Sequence, residues 1–84
     1  MYFVYLLQSE KDHQYYIGQT QDLSIRLEQH NAGTVRSTRH RTPFRLVGHE
    51  THPTRAEARW REYTLKRSAH QRKKFIEKLT HIPG

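Results

Sequence analysis

The sequence predicts an α+β fold in which the first two strands form an antiparallel hairpin and a third strand joins the same sheet. Two short runs rich in aromatic and aliphatic residues stand near the start, separated by a polar loop short enough for a hairpin. A third apolar run comes later, between one helical pattern and two further patterns that begin with capping signals. Because 84 residues leave room for one small core, we expect a single domain over residues 1–84.

The first two elements are strands joined by a polar loop. Residues 2–7 are apolar at successive positions, which indicates a strand covered on both faces. After the polar residues 8–14, a second run covers residues 15–18, and the two runs predict a hairpin. Side chains alternate along each strand, so the pairing register decides whether Tyr5 and Tyr16 point to the same face.

The third element is a helix over about residues 22–31, with Gly33 near its end as a stop signal. At about 100° per residue, Arg26 and His30 flank the apolar stripe that begins at Leu23. We therefore expect both side chains to face the sheet rather than open water.

The remaining elements are a third strand at residues 44–47 and two helices. Thr54 is followed three residues later by Glu57, which is the capping box that opens a helix. Ser68 is followed three residues later by Gln71 in the same way, and predicts a last helix that runs to about Thr80.

Glu62 is the most unusual residue of these helices. Helical spacing places it among Ala58, Leu65 and Ala69, on the apolar face. An unpaired carboxylate buried there costs several kcal/mol or must be neutralised. Two explanations remain open from the residues alone: a salt bridge to Arg26 or Lys66, or a divalent cation, since one carboxylate with waters and phosphate oxygens is a usual site for Mg²⁺.

The charge of the chain suggests a polyanionic partner. Fifteen Lys and Arg residues against eight Asp and Glu residues give a net charge of +7 with histidines neutral. No acidic residue lies between Glu28 and Glu50, and a second basic run spans residues 55–78. A solvated, solubilising surface is the alternative explanation, and charge alone does not separate DNA from RNA or from an acidic membrane. The candidates for nucleic-acid contact are Arg36, Arg39, Arg41, Arg45 and Lys66.

Several other classes of protein are disfavoured. The chain has no cysteine, which excludes a disulfide framework and a thiolate metal site. His49 and His52 are three apart, but a third zinc ligand at a recognisable spacing is lacking. No stretch reads as a signal peptide or a membrane span, and we expect a cytoplasmic protein.

Four further residues could carry chemistry, each with an ordinary structural alternative. Tyr5 and Tyr16 could position a water and share its proton, or could simply pack in strands. Arg26 could bind a phosphate oxygen and stabilise developing charge, or could form a surface ion pair with Asp22. His30 could orient or deprotonate a water, or could be a satisfied histidine at a helix end.

Together these residues resemble the GIY-YIG nuclease family, in family order along residues 2–67. The likeness is to the small stand-alone bacterial members, which are similar to the N-terminal nuclease domain of the nucleotide-excision-repair excinuclease. Phe3 departs from the family pattern, which has glycine there, and no asparagine follows Ser68 where some members carry one. The matching motifs are Phe3-Val4-Tyr5, Tyr16-Ile17-Gly18, Arg26-x-x-x-His30-Asn31 and Glu57-Ala58-x-x-x-Glu62-x-x-Leu65-Lys66.

The resemblance implies a three-stranded antiparallel sheet flanked by helices. It also implies a metal-dependent endonuclease that hydrolyses phosphodiester bonds in DNA, in DNA repair or processing. It implies that Tyr5 and Tyr16 place or activate the attacking water, that Arg26 stabilises charge and that His30 assists. Glu62 would hold one Mg²⁺ or Mn²⁺ ion, and a protein partner would supply substrate specificity. The alternative is a non-catalytic basic nucleic-acid-binding module that keeps the fold. DNA against RNA, and the oligomeric state, stay open.

Overall fold

The computed structural model describes residues 1–81 and confirms the predicted α+β fold. The order of elements is the predicted one, with a short 3-10 turn added before the third strand. None of the helices in this part of the chain has the length and apolar character needed to cross a membrane. The elements are β1 (Tyr2–Ser9), β2 (Tyr15–Thr20), α1 (Leu23–Asn31), the 3-10 turn (Arg39–Arg41), β3 (Phe44–His52), α2 (Arg55–Arg67) and α3 (Ala69–Thr80).

The sheet has β1 at its centre, in the order β2-β1-β3, and both pairings are antiparallel. Tyr5 in the middle of β1 lies opposite Gly18 on β2 and opposite His49 on β3. Because β1 is the central strand, its consecutive residues 4–7 are all buried. The continuous apolar run in the sequence is thereby explained.

Two clusters of buried side chains cover the two faces of the sheet. α2 and α3 pack on one face and α1 lies with the other, so alternate residues of β1 enter different clusters. Tyr5 and Tyr16 belong to the same cluster, which answers the register question left by the sequence. The first cluster contains Val4, Leu6, Ile17, Ala58, Leu65 and Phe75, and the second contains Tyr5, Leu7 and Phe44 with Tyr16, Leu23, Leu27 and Leu46 at its edge.

Side-chain caps start α1, α2 and α3, and those of α2 and α3 are the predicted ones. The Asp22 carboxylate accepts a hydrogen bond from the backbone of Ile25 at 3.0 Å and starts α1. Thr54 and Ser68 start α2 and α3 by accepting from the backbone N–H three residues on, at 3.2 Å in each case. Gly33 follows α1 with a φ of +76°, a conformation that glycine adopts without strain.

Several boundaries differ from the prediction. β1 extends to Ser9 and β2 to Thr20, each two residues beyond its predicted end. β3 extends to His52 rather than residue 47, because its polar second half still pairs with β1 as far as the Tyr2–His52 pair. Ala69 was expected on the apolar face of the same helix as Glu62, but α2 ends at Arg67 and Ala69 is an exposed first residue of α3. The buried face of α2 therefore consists of Ala58 and Leu65 alone.

Candidate active site

A chain of hydrogen bonds under α1 joins four side chains. The Tyr5 hydroxyl lies 3.3 Å from Nε of Arg26 and 3.0 Å from Nε2 of His30. Nδ1 of His30 lies 2.8 Å from the Thr38 hydroxyl, which in turn is 3.4 Å from the carbonyl of Val35. Arg26 and His30 of α1 thus both contact the Tyr5 phenol on the central strand. Both side chains face the sheet, as their spacing on the helix predicted.

The end of this chain decides where each hydrogen lies. A carbonyl only accepts, so Thr38 donates to Val35 and accepts from Nδ1–H of His30. Nε2 of His30 then carries a lone pair and accepts from the Tyr5 hydroxyl, whose oxygen accepts from Arg26. The network thereby assigns the Nδ1–H tautomer to His30 and points a proton acceptor at Tyr5.

The electrostatics agree with that assignment. His30 has no exposed surface, and burial together with the nearby Arg26 cation lowers the pKa of His30 to about 4. Burial also raises the pKa of Tyr5, against the opposing influence of Arg26. At neutral pH the imidazole is therefore neutral and the phenol keeps its proton.

Tyr16 is the outer tyrosine of the site. Its ring centre lies 5.0 Å from that of His30 and 6.4 Å from that of Tyr5, and the Lys66 ammonium stands 5.3 Å from it. Tyr16 is partly exposed, whereas Tyr5 retains only 2% of its surface. Of the two tyrosines, Tyr16 is accordingly the one that a bound substrate or water can reach directly.

The glycine of the second motif has a steric reason. Gly18 faces Tyr5 across the β1–β2 pair, and a Cβ atom added there would overlap the Tyr5 ring and hydroxyl. The absence of a side chain at Gly18 therefore gives the phenol its place over β2.

Arg26 is held in position with hydrogen-bonding capacity to spare. Its Nε donates to Tyr5 and its Nη1 donates to Gln29 at 3.1 Å, which engages two of the five N–H groups of a guanidinium. The alternative surface ion pair with Asp22 is not formed, since the Asp22 carboxylate caps α1. The arrangement leaves a fixed, partly exposed cation beside Tyr5 that suits a phosphate oxygen.

Glu62 is less buried than its helical position predicted. Its side chain is 24% exposed, and Oε1 lies 3.0 Å from the ammonium of Lys66. The salt bridge to Lys66, one of the two explanations for a carboxylate here, is thus present, while Arg26 is engaged elsewhere. The Glu62 charge is close enough to Tyr5 to add, after burial and the Tyr16 phenol, to the raised pKa of Tyr5.

The donor set fits a divalent cation that takes most of its ligands from elsewhere. Within residues 1–81 there is no group of three or more His, Cys, Asp or Glu side chains that could hold a metal ion. A single accessible carboxylate suits Mg²⁺ or Mn²⁺, because such ions keep several waters and bind substrate phosphates as further ligands. The His49 and His52 side chains, an odd number of residues apart on β3, point to opposite faces and do not form a zinc pair.

The predicted phosphate-contacting arginines have different surroundings. Arg36 and Arg39 are exposed on the loop that supplies Thr38. Arg45 is exposed and donates to Gln8 at 2.6 Å. Arg41 is partly buried, with a salt bridge to Asp12 at 3.0 Å and its guanidinium 5.5 Å from the Phe44 ring centre. The contacts of Arg41 thus give it a structural role in anchoring the 3-10 turn.

Two residues of the site were missed by sequence reasoning. Thr38 binds His30 from a loop whose conformation no periodic pattern describes. The Asn31 side chain donates to the Phe44 carbonyl at 3.0 Å and accepts from the Phe44 N–H at 2.6 Å, which ties the end of α1 to the start of β3. The sequence pointed to Asn31 only through its match to the family motif, and that match did not predict the two hydrogen bonds to Phe44.

The chain is similar to a known protein family and to individual relatives. The family model described as the GIY-YIG catalytic domain matches residues 1–75. The UPF0213 protein BH0048 of Halalkalibacterium halodurans is 38% identical over 85 residues, which is 99% of this chain and 85% of that protein. The UPF0213 protein VNG_2274C of Halobacterium salinarum is 37% identical over 77 residues, covering 90% of this chain and 99% of that protein.

A solved structure has the same overall arrangement. The solution NMR structure of the UPF0213 protein BH0048 from Bacillus halodurans superposes with a TM-score of 0.58 at 34% sequence identity. The match covers 99% of this chain and 89% of that one. The similarity therefore extends over the whole arrangement of strands and helices that forms the site.

Proposed function

This chain belongs to the GIY-YIG catalytic-domain family, and from that premise we propose that it is a metal-dependent endonuclease that hydrolyses phosphodiester bonds in DNA. The observation that carries the proposal is the hydrogen-bond chain from Arg26 through Tyr5 to a neutral His30. This chain holds a cation and the Tyr5 phenol at one place with a hydrogen-bond acceptor behind them, and the Tyr16 ring lies beside it. DNA repair or processing is the setting we propose for this activity.

Arg26 is the residue we assign to the phosphate. Its Nε bond to Tyr5 and Nη1 bond to Gln29 fix the plane of the guanidinium. The remaining N–H groups can donate to a phosphate oxygen whose negative charge grows in the transition state. Because the guanidinium is already oriented, little reorganisation is needed when the charge develops.

Tyr16 and Tyr5 have different roles in this proposal. Tyr16, which is partly exposed, contacts and orients the attacking water. Tyr5 is buried and holds Arg26 in place, while Nε2 of His30 accepts the hydrogen of the Tyr5 hydroxyl and so orients it. A pKa of about 4 keeps His30 neutral at neutral pH, so that it assists as a hydrogen-bond acceptor.

Glu62 is the residue that would hold Mg²⁺ or Mn²⁺. The ion, when bound, would act as a Lewis acid at the scissile phosphate and the leaving oxygen. The salt bridge to Lys66 uses Oε1 of Glu62, so Oε2 remains for the ion, and the Lys66 ammonium lies where it could also contact a neighbouring phosphate. A protein partner that directs the enzyme to particular DNA structures completes the proposal.

The direct test is an incubation of the purified protein with labelled single-stranded, duplex, flap and branched DNA. We expect cleavage of at least one substrate with Mg²⁺ or Mn²⁺ and none with EDTA. RNA strands of the same sequences establish which nucleic acid is cut. Failure to cut any substrate with either metal would contradict the nuclease assignment.

A non-catalytic nucleic-acid-binding module is the second candidate, and the salt bridge between Glu62 and Lys66 is the observation that favours it. If this bridge persists with substrate bound, Lys66 already neutralises the Glu62 charge and competes with a metal ion for the carboxylate. The same incubation separates the two functions, because a binding module would shift the mobility of the DNA in every buffer without cutting it.

A further inference from the structure

Two large aromatic side chains on α2 are exposed to solvent and take no part in the hydrophobic core. Trp60 is 66% exposed and Tyr63 is 48% exposed, while the core-facing residues of the same helix are Ala58 and Leu65. The two rings are stacked, with centroids 5.7 Å apart and planes inclined by 26°. The indole therefore offers a π-face to solvent on a rigid helix.

The aromatic pair lines a groove of about 690 Å³ where α2 turns into α3. A second groove of about 310 Å³ shares Tyr63 and Arg67 with the first and is completed by Arg59, Glu62 and Lys66. Tyr63 and Arg67 thus form a common wall, with Trp60 on one side and the candidate metal ligand Glu62 on the other. A strand that crosses α2 from Glu62 would pass Tyr63 and Arg67 before it reaches Trp60.

The charges around the two grooves suit a polyanion. The Arg67 guanidinium stands 5.2 Å from the Tyr63 ring centre. Neither Arg59 nor Arg67 forms a salt bridge with a carboxylate of residues 1–81, so both cations remain available. The acidic members are Glu57, at the start of α2, and Glu62, which Lys66 neutralises.

We propose that the groove formed by Trp60 and Tyr63 is a binding subsite for an unpaired nucleobase of the strand that passes through the candidate active site. The inference rests on the proposed nuclease function and specifies its substrate class, which is a strand with unpaired bases beside the cut. Aromatic side chains next to cations bind single strands because every base has a π-face and every nucleotide a phosphate. A base inside a duplex is stacked on its neighbours and cannot enter such a groove.

The first experiment uses the fact that Trp60 is the single tryptophan of the chain. Its intrinsic fluorescence is followed in EDTA during titration with an oligothymidylate of about ten nucleotides, close to the length bound by known single-strand modules. An abasic strand of the same length and charge, and a blunt duplex, are titrated in parallel. We expect saturable quenching by the oligothymidylate and little change with the other two. Equal quenching by the abasic strand would overturn the inference, since it would mean that phosphates alone are bound.

The second experiment compares variants by the anisotropy of a labelled oligothymidylate. Trp60→Ala should weaken binding by at least about fivefold, the lower end of the cost of losing one base–aromatic stack. Trp60→Phe should retain most of the affinity because it keeps a π-face. Ile25→Ala is the matched control, since Ile25 is a similarly exposed hydrophobic residue on α1, away from both grooves. Unchanged affinity of Trp60→Ala would refute the subsite.

Sedimentation of the protein alone tests whether a second copy of the chain, rather than a nucleobase, covers the groove formed by Trp60 and Tyr63. A dimer that forms in the wild type and is lost in Trp60→Ala would mean that a second copy covers the groove, which overturns the proposal. Failure of the subsite and failure of the nuclease are distinguishable. Quenching of Trp60 fluorescence without cleavage in Mg²⁺ or Mn²⁺ would support the subsite and contradict the nuclease function. Cleavage by Trp60→Ala with unchanged affinity and KM would support the nuclease function and contradict the subsite.

Discussion

The buried imidazole of His30 should make the stability of the protein fall as the pH is lowered below neutrality. Burial and the Arg26 cation lower its pKa from 6.5 to about 4 in the folded chain, so the unfolded chain takes up this proton first. Stability is lost as the pH falls from about 6.5 towards about 4, and this group has no effect on stability above that window.

The size of the effect follows from the two pKa values. At 1.36 kcal/mol for each pKa unit, the lowering from 6.5 to about 4 corresponds to about 3 kcal/mol at the acid end of the window. That is a large part of the free energy of unfolding of an ordinary protein, which is about 5–15 kcal/mol. Glu50 does not disturb this measurement. Burial alone would raise its pKa, but hydrogen bonds from Arg61 and Lys78 outweigh burial and lower the pKa to about 2. The stability that the Glu50 carboxylate contributes is therefore lost only at more acid pH.

Urea unfolding at a series of pH values between about 7 and about 4.5 measures this loss. His30→Gln keeps groups that can pair with Tyr5 and Thr38 but does not titrate, so its stability should depend much less on pH over this range. His70→Gln is the matched control, because His70 is an exposed histidine on α3 and its replacement should leave the wild-type dependence intact. A His30→Gln variant that loses as much stability as the wild type would refute the reasoning.

Three further predictions concern the site and the DNA. Gly18→Ala should cost about 1–3 kcal/mol in urea unfolding and abolish cleavage, because its methyl group overlaps the neighbouring phenol; normal cleavage would contradict this. Tyr16→Phe should lose cleavage while Tyr15→Phe, on the opposite face of β2, should keep it in the same assay; equal activities would remove Tyr16 from the site. In binding titrations, log K should fall linearly with log salt, and Arg36→Ala combined with Arg39→Ala should weaken binding to different sequences equally; affinity that does not depend on salt would refute a phosphate contact.

The sequence predicted those parts of the fold that short-range patterns determine. These parts are the apolar run of β1, the helical spacing of Arg26 and His30, and the caps at Thr54 and Ser68, all of which are properties of neighbouring residues. Each of these expectations is confirmed. The length of β3 was underestimated, because its polar half is held by pairing with β1, which lies more than forty residues earlier in the chain.

The site shows the same division between local and distant contacts. The helix spacing brought Arg26 and His30 to Tyr5 as expected, but the partner of His30 on the other side, Thr38, comes from a loop without a repeating pattern. Arg41 was expected to contact nucleic acid from its charge alone, and its pairing with Asp12, 29 residues away, depends on the tertiary fold.

The burial of the Glu62 side chain was overestimated for a related reason. Its helical angle was counted along a helix that continued to Ala69, whereas Ser68 is extended and separates α2 from α3. The carboxylate consequently lies at the edge of the apolar face, where Lys66 can reach it. An exposed pair four residues apart on a helix contributes only about 0.3–0.5 kcal/mol, so the removal of its charge should change stability little.

The most direct test of the account is the cleavage rate of Glu62→Gln in Mg²⁺ and in Mn²⁺, beside that of Glu77→Gln. Glu77 is an exposed carboxylate on α3 that lines neither groove, and it provides the matched control. If Glu62 holds the metal ion, Glu62→Gln should stay folded, bind DNA and cut none of it, whereas Glu77→Gln should cut like the wild type. A folded Glu62→Gln variant that cuts DNA at the wild-type rate would contradict the account.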